Sequence, residues 1–268
     1  MNIDSSYVNA YDISGIQQNS IERLGSALAI NKASDDPSGL AIGSSLGVEK
    51  SSLTQAIENM NSGIAMSNIA QSGLSSQQNL LQDIHTQTLK AMNGTMNEDD
   101  KNIIAQQINT YIEQFDNIAN TTTYNGNQLL KTDGSTNDDI SIVDKESTIS
   151  MEKPDTVSVS DTLKSLMSDF STNPNSLTSM LDTLDKGIND LASFQSDFGS
   201  AANAMESSAR NSISTEKEIA TAQSTIMDID YSKEVSSFSK TNLLSQIGHM
   251  MQTQANAVQG RNISLLSH

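Results

Sequence analysis

The scarcity of helix-breaking residues is the strongest constraint on how this chain can fold. Its 268 residues include three prolines, and the long stretches 38–153 and 175–268 contain none. Proline removes a backbone donor and clashes with the preceding helical turn, so its absence leaves very long helices possible. Alanine, glutamine and methionine, which favour helix, are common. Long helices are therefore the default expectation.

Apolar residues recur at spacings of three to five in five stretches, as on one face of a helix. We predict helices over 6–32, 42–92, 98–119, 176–229 and 232–266. The second would be roughly 75 Å long at 1.5 Å per residue, whereas a compact globule of this chain length is about 50 Å across. The sequence predicts a mainly α fold, an elongated rod of long antiparallel helices.

The first and last predicted helices carry matching apolar stripes. An isolated helix is marginally stable and gains most of its stability from packing. We therefore expect an N- and C-terminal coiled-coil pair, or packing on other copies of the chain. The predicted interface residues are Ile13, Ile16, Leu24, Leu28, Leu244, Ile247, Met251, Val258, Leu265 and Leu266.

Polar or glycine-containing segments mark the ends of these helices. Pro37 should force Asp36 out of the helical region, so that a tight loop runs through Gly39. The Asn93–Gly94 pair should end the second helix in the left-handed conformation, and Asn97 should cap the third.

Two further patterns concern the middle of the chain. Gly63 and Gly73 fall inside the second helix, where they predict close packing or slight bends. Between about 131 and 175 the helical rhythm is lost, and alternating apolar residues predict short strands or hairpins. These residues are Ile140, Ile142, Ile149, Met151, Val157 and Val159.

Composition and charge exclude several classes of function. The net charge of −17 and pI near 4.3 argue against binding nucleic acid or an anionic membrane, since phosphates require clustered Lys and Arg. No window has the roughly 18 apolar residues of a spanning helix, and we expect no cleaved signal peptide. The chain has no cysteine, which excludes disulfides and thiolate chemistry.

No catalytic pattern is present in the sequence. His85, His249 and His268 lack a second ligand at metal-binding spacing, and we find no phosphate-binding glycine loop or nucleophile elbow. Acidic pairs occupy loop and cap positions, where capping explains them. We predict no enzymatic activity, catalytic residue, metal or cofactor, and favour a self-associating structural element over an adaptor.

The run from Asn31 to Ile42, with Asn31, Asp35, Asp36 and Gly39 in register, resembles the bacterial flagellin signature Asn-Ser-Ala-x-Asp-Asp-Ala-Ala-Gly-Leu-Ala-Ile. Further similar segments are 59–64, 91–95, 123–130, 226–230 and 254–266. The resemblance covers about 1–150 and 177–268.

The resemblance implies the structural subunit of the bacterial flagellar filament used for swimming, a homopolymer that is exported unfolded by the type III system and secreted into an extracellular filament. It implies an inner-tube domain of terminal helices, 1–43 and 225–268, and an outer helical rod, 44–224, with a hairpin insert at about 131–175. We expect a minimal form without outer variable domains. The implied partners are an export chaperone, at 237–268, and the cap and hook–filament junction proteins.

Two features qualify the resemblance. Asp83, His85 and Gln87 replace two arginines and a leucine in the segment that an innate immune receptor recognises in flagellins, so this subunit should escape that receptor. Sugars on the outer stretch, as in some flagellins, could be O-linked to Ser147, Thr148, Ser158 and Ser160, although a solvated loop is the favoured explanation of this stretch. The alternative functions are a hook–filament junction or other minor flagellin-like secreted protein, and a coiled-coil adaptor.

Overall fold

The computed structural model describes residues 4–132, 139–143, 148–168, 170 and 173–266, and the side chains within 15–173, 175–258 and 260–261 of those ranges. The described residues form helices and two short hairpins. The helices are α1 Asp4–Ser26, α2 Pro37–Ala91, α3 Glu98–Thr121, α4 Thr156–Met167, α5 Pro174–Met227 and α6 Tyr231–Leu266. The strands are β1 Thr123–Tyr124, β2 Asn127–Gln128, β3 Ile140–Val143 and β4 Thr148–Met151.

The mainly α prediction is confirmed, and the ends of two helices differ from expectation for identifiable reasons. α1 stops at Ser26 because Ala27 adopts a left-handed conformation with φ of 60°, which terminates a helix. α2 begins at Pro37, since proline suits the first helical position. The prediction that a loop runs through Gly39 is therefore wrong, because Gly39 lies in the first turn of α2.

The corner between α2 and α3 also departs in part from expectation. Neither Asn93 nor Gly94 has a positive φ, so the predicted left-handed ending is wrong. α2 closes instead with the Asn93 N–H bonded to the Lys90 carbonyl at 3.1 Å. The predicted cap of α3 is present, since the Asn97 side chain accepts a hydrogen bond from the Asp100 N–H at 2.7 Å.

Both hairpins are antiparallel. In the first, Asn125 and Gly126 have φ of 49° and 84°, which is the pattern of a tight primed turn. In the second, Ile140 pairs with Met151 and Ile142 with Ile149, and this apolar side packs on the core. The predicted strands of the second hairpin are confirmed, whereas the first hairpin was not predicted.

The prediction of a strand at Val157 and Val159 is wrong, because both lie in α4. The buried positions of α4 are Thr156, Ser160 and Leu163, whose spacings of four and three are helical. Two valines at alternate positions are too short a pattern to distinguish the two structures.

The chain divides into two compact units, Ser52–Thr215 and Met1–Ser51 with Glu216–His268. In the first unit α2 and α5 are antiparallel, as shown by contacts of Thr88 Oγ1 with Met180 Sδ and Gln78 with Gln195. Its largest fully buried side chains come from α2, α3, α4, α5 and the segment after β2. They are Phe115, Phe198, Met60, Leu74, Leu81, Ile84, Ile108, Ile112, Leu129, Leu130, Leu163 and Met180.

Gly63 and Gly73 are close-packing points in this unit. A Cβ on Gly63 would lie 2.9 Å from Ile142 Cγ1, and one on Gly73 would lie 2.8 Å from both Leu130 Cδ1 and Thr122 Oγ1. The second unit joins α1 with α6 and the start of α2 with the end of α5.

Buried polar groups attach α4 to its neighbours. The Gln77 amide donates to the Phe115 carbonyl at 3.2 Å and to Thr156 Oγ1 at 2.9 Å. Thr156 Oγ1 donates in turn to the Leu130 carbonyl at 2.9 Å. One and two turns further along α4, Ser160 and Lys164 both donate to the Asp116 carboxylate of α3, and the hydrogen bond to Asp116 raises the pKa of Lys164.

Candidate subunit interface and signature loop

The signature loop is organised around the Asp35 carboxylate. Its Oδ2 accepts hydrogen bonds from the backbone N–H groups of Asn31 and Lys32 at 3.1 and 3.0 Å. Arg23 Nη2 lies 3.5 Å from Oδ1. These donors favour the ionised form and lower the pKa of Asp35, with the two backbone bonds as the main cause. The Asn31 amide donates to the Leu28 carbonyl at 3.1 Å.

Asp36 and Gly39 form the start of α2. Asp36 Oδ1 accepts from the N–H groups of Ser38 and Gly39 at 3.0 and 2.9 Å, which is an N-cap. A Cβ on Gly39 would lie 2.6 Å from both Asp36 Oδ2 and Ile30 Cδ1. The structure thus brings all four predicted signature residues together, and close approach explains the glycine.

A short antiparallel pairing joins the two linkers of this unit. The Ala29 N–H donates to the Met227 carbonyl at 2.7 Å, and the Ile229 N–H donates to the Ala27 carbonyl at 3.1 Å. Leu28 and Asp228 are the paired residues. Sequence reasoning missed this contact, because neither linker is long enough to show strand alternation.

The apolar face of α6 points away from α1. At 100° per residue, the less exposed positions of α6 share one face, and most of the large exposed apolar side chains lie opposite. The less exposed residues are Glu234, Phe238, Thr241, Asn242, Ser245 and Gln252. The apolar residues are Leu243, Leu244, Ile247, Met250, Met251 and Val258, and they are 47–71% exposed. We call this second set the α6 apolar face.

The α6 apolar face includes the predicted residues Leu244, Ile247, Met251 and Val258. Leu243 and Met250 were missed, although both lie on the same helical face. The helices α1 and α6 do pack together, but through a largely polar seam, so the apolar stripe is left available for another partner.

The other predicted interface residues are less uniform. Ile16 is 53% exposed, whereas Leu24 and Leu28 are half-buried within the unit. The side chains of Ile13, Leu265 and Leu266 lie outside the described residues. Exposed Ile21, which was not predicted as an interface residue, adds to the apolar surface of α1.

The remaining predicted sites lie in the other unit. Asp83 is exposed on α2, Gln87 is half-buried, and His85 Nε2 lies 3.5 Å from Asp185 Oδ1. Thr148 and Ser158 are exposed, and Ser147 lies outside the described residues. Ser160 is fully buried and donates to Asp116, so the prediction of a sugar at Ser160 is wrong for the folded unit.

Two features of the described ranges concern membrane and metal binding. None of their helices is long and apolar enough to cross a membrane. Nor do those ranges hold a group of three or more His, Asp or Glu residues placed to bind a metal ion.

These features define a class of helical protein whose paired terminal helices leave an apolar face for association. The N-terminal helical region of bacterial flagellin matches residues 9–135, and the C-terminal helical region of bacterial flagellin matches residues 181–266. The chain belongs to the bacterial flagellin family, a family of structural proteins, and it is a subunit of the flagellar filament.

Relatives match along most of the chain. Flagellin of Halalkalibacterium halodurans is 29% identical over 255 residues, which cover 93% of each chain. Flagellin of Bacillus subtilis is 28% identical over 270 residues, which cover 89% of each chain. A solved structure of a putative flagellar hook-associated protein from Vibrio parahaemolyticus is similar in fold, with a TM-score of 0.64 and 14% identity over 72% of this chain and 100% of that chain.

Proposed function

We propose that subunits of this flagellin polymerise through the α6 apolar face, with Ile16 and Ile21 of α1 contributing. The support is the orientation of this face, which the pairing of α1 with α6 leaves exposed. We assign the inner-tube role to 1–43 and 225–268, and the outer role to 44–224.

The free energy available from burying the α6 apolar face favours a polymer over a simple dimer. Completing the burial of six half-exposed Leu, Ile, Met and Val side chains contributes about 1 kcal/mol each. Association costs about 4–15 kcal/mol, so one such contact leaves little surplus. A subunit in a helical assembly contacts several neighbours at once, so it gains several contacts while losing its translational and rotational freedom only once.

Charge substitution on α6 tests the proposal. Ile247→Glu places a carboxylate in the α6 apolar face, whereas Gln246→Glu places the same charge at its edge. Both positions are exposed, so both variants should fold. We expect Ile247→Glu to stop growth from filament fragments seen by electron microscopy and Gln246→Glu to permit it. Equal growth of the two variants would contradict the assignment.

For export, we propose that the chain leaves the cell unfolded through the flagellar type III system and becomes part of an extracellular filament. A flagellar export chaperone would bind 237–268, which contains the whole of the α6 apolar face. Cap and hook–filament junction proteins would be further partners. Co-purification of the chaperone with the full chain, and its loss when 237–268 is deleted, would test the chaperone site.

A second candidate function is a minor subunit at the hook–filament junction. The likeness in fold to the putative flagellar hook-associated protein from Vibrio parahaemolyticus favours it. Abundance separates the two functions, because a main filament subunit makes up most of a purified filament and a junction protein a trace. Quantitative mass spectrometry of native filaments would decide.

On the outer unit, we propose that this subunit escapes the innate immune receptor that recognises flagellins. Asp83 presents a negative charge where flagellins usually carry arginine, and His85 lies beside Asp185. Purified monomer should fail to activate a receptor reporter cell. The double variant Asp83→Arg with His85→Arg should restore activation, and activation by the unmodified chain would contradict the proposal.

We propose Thr148 and Ser158, which are exposed, and Ser147 as the sites of O-linked sugars. The intact mass of native filaments, followed by peptide mapping, tests this.

A further inference from the structure

The corner between α2 and α3 contains a reactive pair, Asn93–Gly94. Both residues and Thr95 are exposed. An asparagine side chain can be attacked by the backbone nitrogen of the next residue, and glycine permits the closest approach because it has no Cβ. The same dipeptide occurs at Asn125–Gly126, which provides an internal comparison.

The hydrogen bonds at this corner favour that reaction. Asn93 Oδ1 accepts from the Thr95 N–H at 3.2 Å and from the Thr95 hydroxyl at 2.9 Å. The ring closed by the first bond includes Asn93 Cγ and Gly94 N, the two atoms that must join. Both donors point at the oxygen on which negative charge develops during attack, and donors placed in this way stabilise the transition state.

The second pair lacks this arrangement. Asn125 and Gly126 form the tight turn of the first hairpin, where the pairing of β1 with β2 holds both in left-handed conformations. Within the described part of the chain, no comparable pair of donors contacts the Asn125 side chain.

We propose that Asn93 is a self-modifying site that converts to aspartate and isoaspartate. Gly94 N, having lost its proton to solvent, attacks Asn93 Cγ. The C–N bond to the side-chain nitrogen breaks, and that nitrogen leaves as ammonia after taking a proton from solvent. Water then opens the cyclic imide at either carbonyl. The reaction needs no redox partner. It adds a negative charge, and isoaspartate also adds a methylene group to the main chain.

The consequence is local to the corner. Ala91 before it is fully buried, and Met96 after it packs against the core. The Met96 N–H also bonds to the Asn93 carbonyl at 3.1 Å. A longer main chain at Asn93 would disturb this connection between α2 and α3. Because the reaction is not reversed, the converted fraction of subunits increases with the time since their synthesis.

The test uses the purified full-length chain, incubated at mildly alkaline pH and sampled by peptide mapping with enzymatic isoaspartate labelling. Conversion should be faster at Asn93 than at Asn125. Thr95→Val, which removes the hydroxyl donor, should slow conversion at Asn93 about two- to tenfold and leave Asn125 unchanged. Thr95→Ser retains a hydroxyl and should convert at the original rate.

A third variant separates chemistry from folding. A Cβ on Gly94 meets no atom within 4 Å, so Gly94→Ala should fold normally while hindering the attacking nitrogen. We expect the slowest conversion in this variant. Conversion at Asn125 that matches or exceeds that at Asn93, or an unchanged rate in Thr95→Val, would overturn the proposal.

Discussion

The phenol of Tyr231, the first residue of α6, donates a 2.7 Å hydrogen bond to the carbonyl oxygen of Leu24 in the last turn of α1. The last four carbonyl groups of a helix have no partner within it, and Leu24 belongs to that group because α1 ends at Ser26. The bond therefore satisfies the end of one terminal helix with the beginning of the other.

Removing this hydroxyl should weaken the pairing of α1 with α6. Tyr231→Phe keeps the ring and removes only the donor, so the expected loss is about 0.5–1.5 kcal/mol, near the lower end because the tyrosine is exposed. Denaturant unfolding followed by circular dichroism measures the change. Tyr124→Phe is the matched control, since Tyr124 packs on the other unit's core. An equal effect of both variants would contradict the assigned role.

The cap at Asp36 should contribute to the stability of α2. Asp36→Ala removes the acceptor of the Ser38 and Gly39 N–H groups, and loss of such a cap costs about 1 kcal/mol. Ser38→Ala changes an exposed neighbour and leaves the acceptor in place. Hydrogen exchange at Ser38 and Gly39 should rise in Asp36→Ala, and unchanged exchange would disprove the cap.

The pKa of Asp35 predicts acid sensitivity in the same loop. Because the folded state lowers this pKa, the ionised group stabilises the fold above the ordinary aspartate value of about 4. That stabilisation is lost as pH falls through the lowered folded pKa. Asp35→Asn should reduce stability at neutral pH and flatten the loss on acidification.

The measurement is the denaturant midpoint from neutral pH to about pH 3. Asp83→Asn removes one exposed carboxylate elsewhere and controls for net charge. If Asp35→Asn and the unmodified chain lost stability in parallel on acidification, Asp35 would not be the responsible group.

The sequence was sufficient for the long helices α1, α2, α3, α5 and α6, because long apolar periodicities such as that of α2 leave few alternatives. It also indicated the β3–β4 hairpin, where Ile140, Ile142 and Ile149 alternate. It failed for α4, whose inward positions include Thr156 and Ser160. These polar residues are buried because Leu130 and Asp116 accept their hydrogen bonds, and such partners cannot be read from a local pattern.

The candidate interface shows a similar limit. A stripe at Leu244, Ile247 and Met251 predicts that one face of α6 becomes buried, but it does not say against what. The partner of α1 proved to be the opposite face, around Phe238 and Thr241. The pairing of Leu28 with Asp228 could not be predicted from the sequence either, since the two residues are 200 positions apart in the chain.

Two glycines in long helices should respond oppositely to substitution. Gly73→Ala would place a Cβ 2.8 Å from Leu130 Cδ1, and such overpacking costs about 1–3 kcal/mol. A Cβ on Gly199 of α5 meets nothing within 4 Å, so Gly199→Ala should stabilise its helix by about 0.8–1 kcal/mol. The unfolding free energies of the two variants check this. Stabilisation by both would contradict the prediction, because it would show that the side chains around Leu130 rearrange to accept the added methyl group.

Deletion of 244–268 tests whether folding and polymerisation reside in different parts of the chain. The truncation removes five of the six residues of the α6 apolar face and leaves Tyr231 with its bond to Leu24. The unit Ser52–Thr215 contains no residue of α6, so it should stay folded. Circular dichroism should report a soluble helical protein, while electron microscopy should show no growth from filament fragments. Continued growth would refute the role of α6 in assembly.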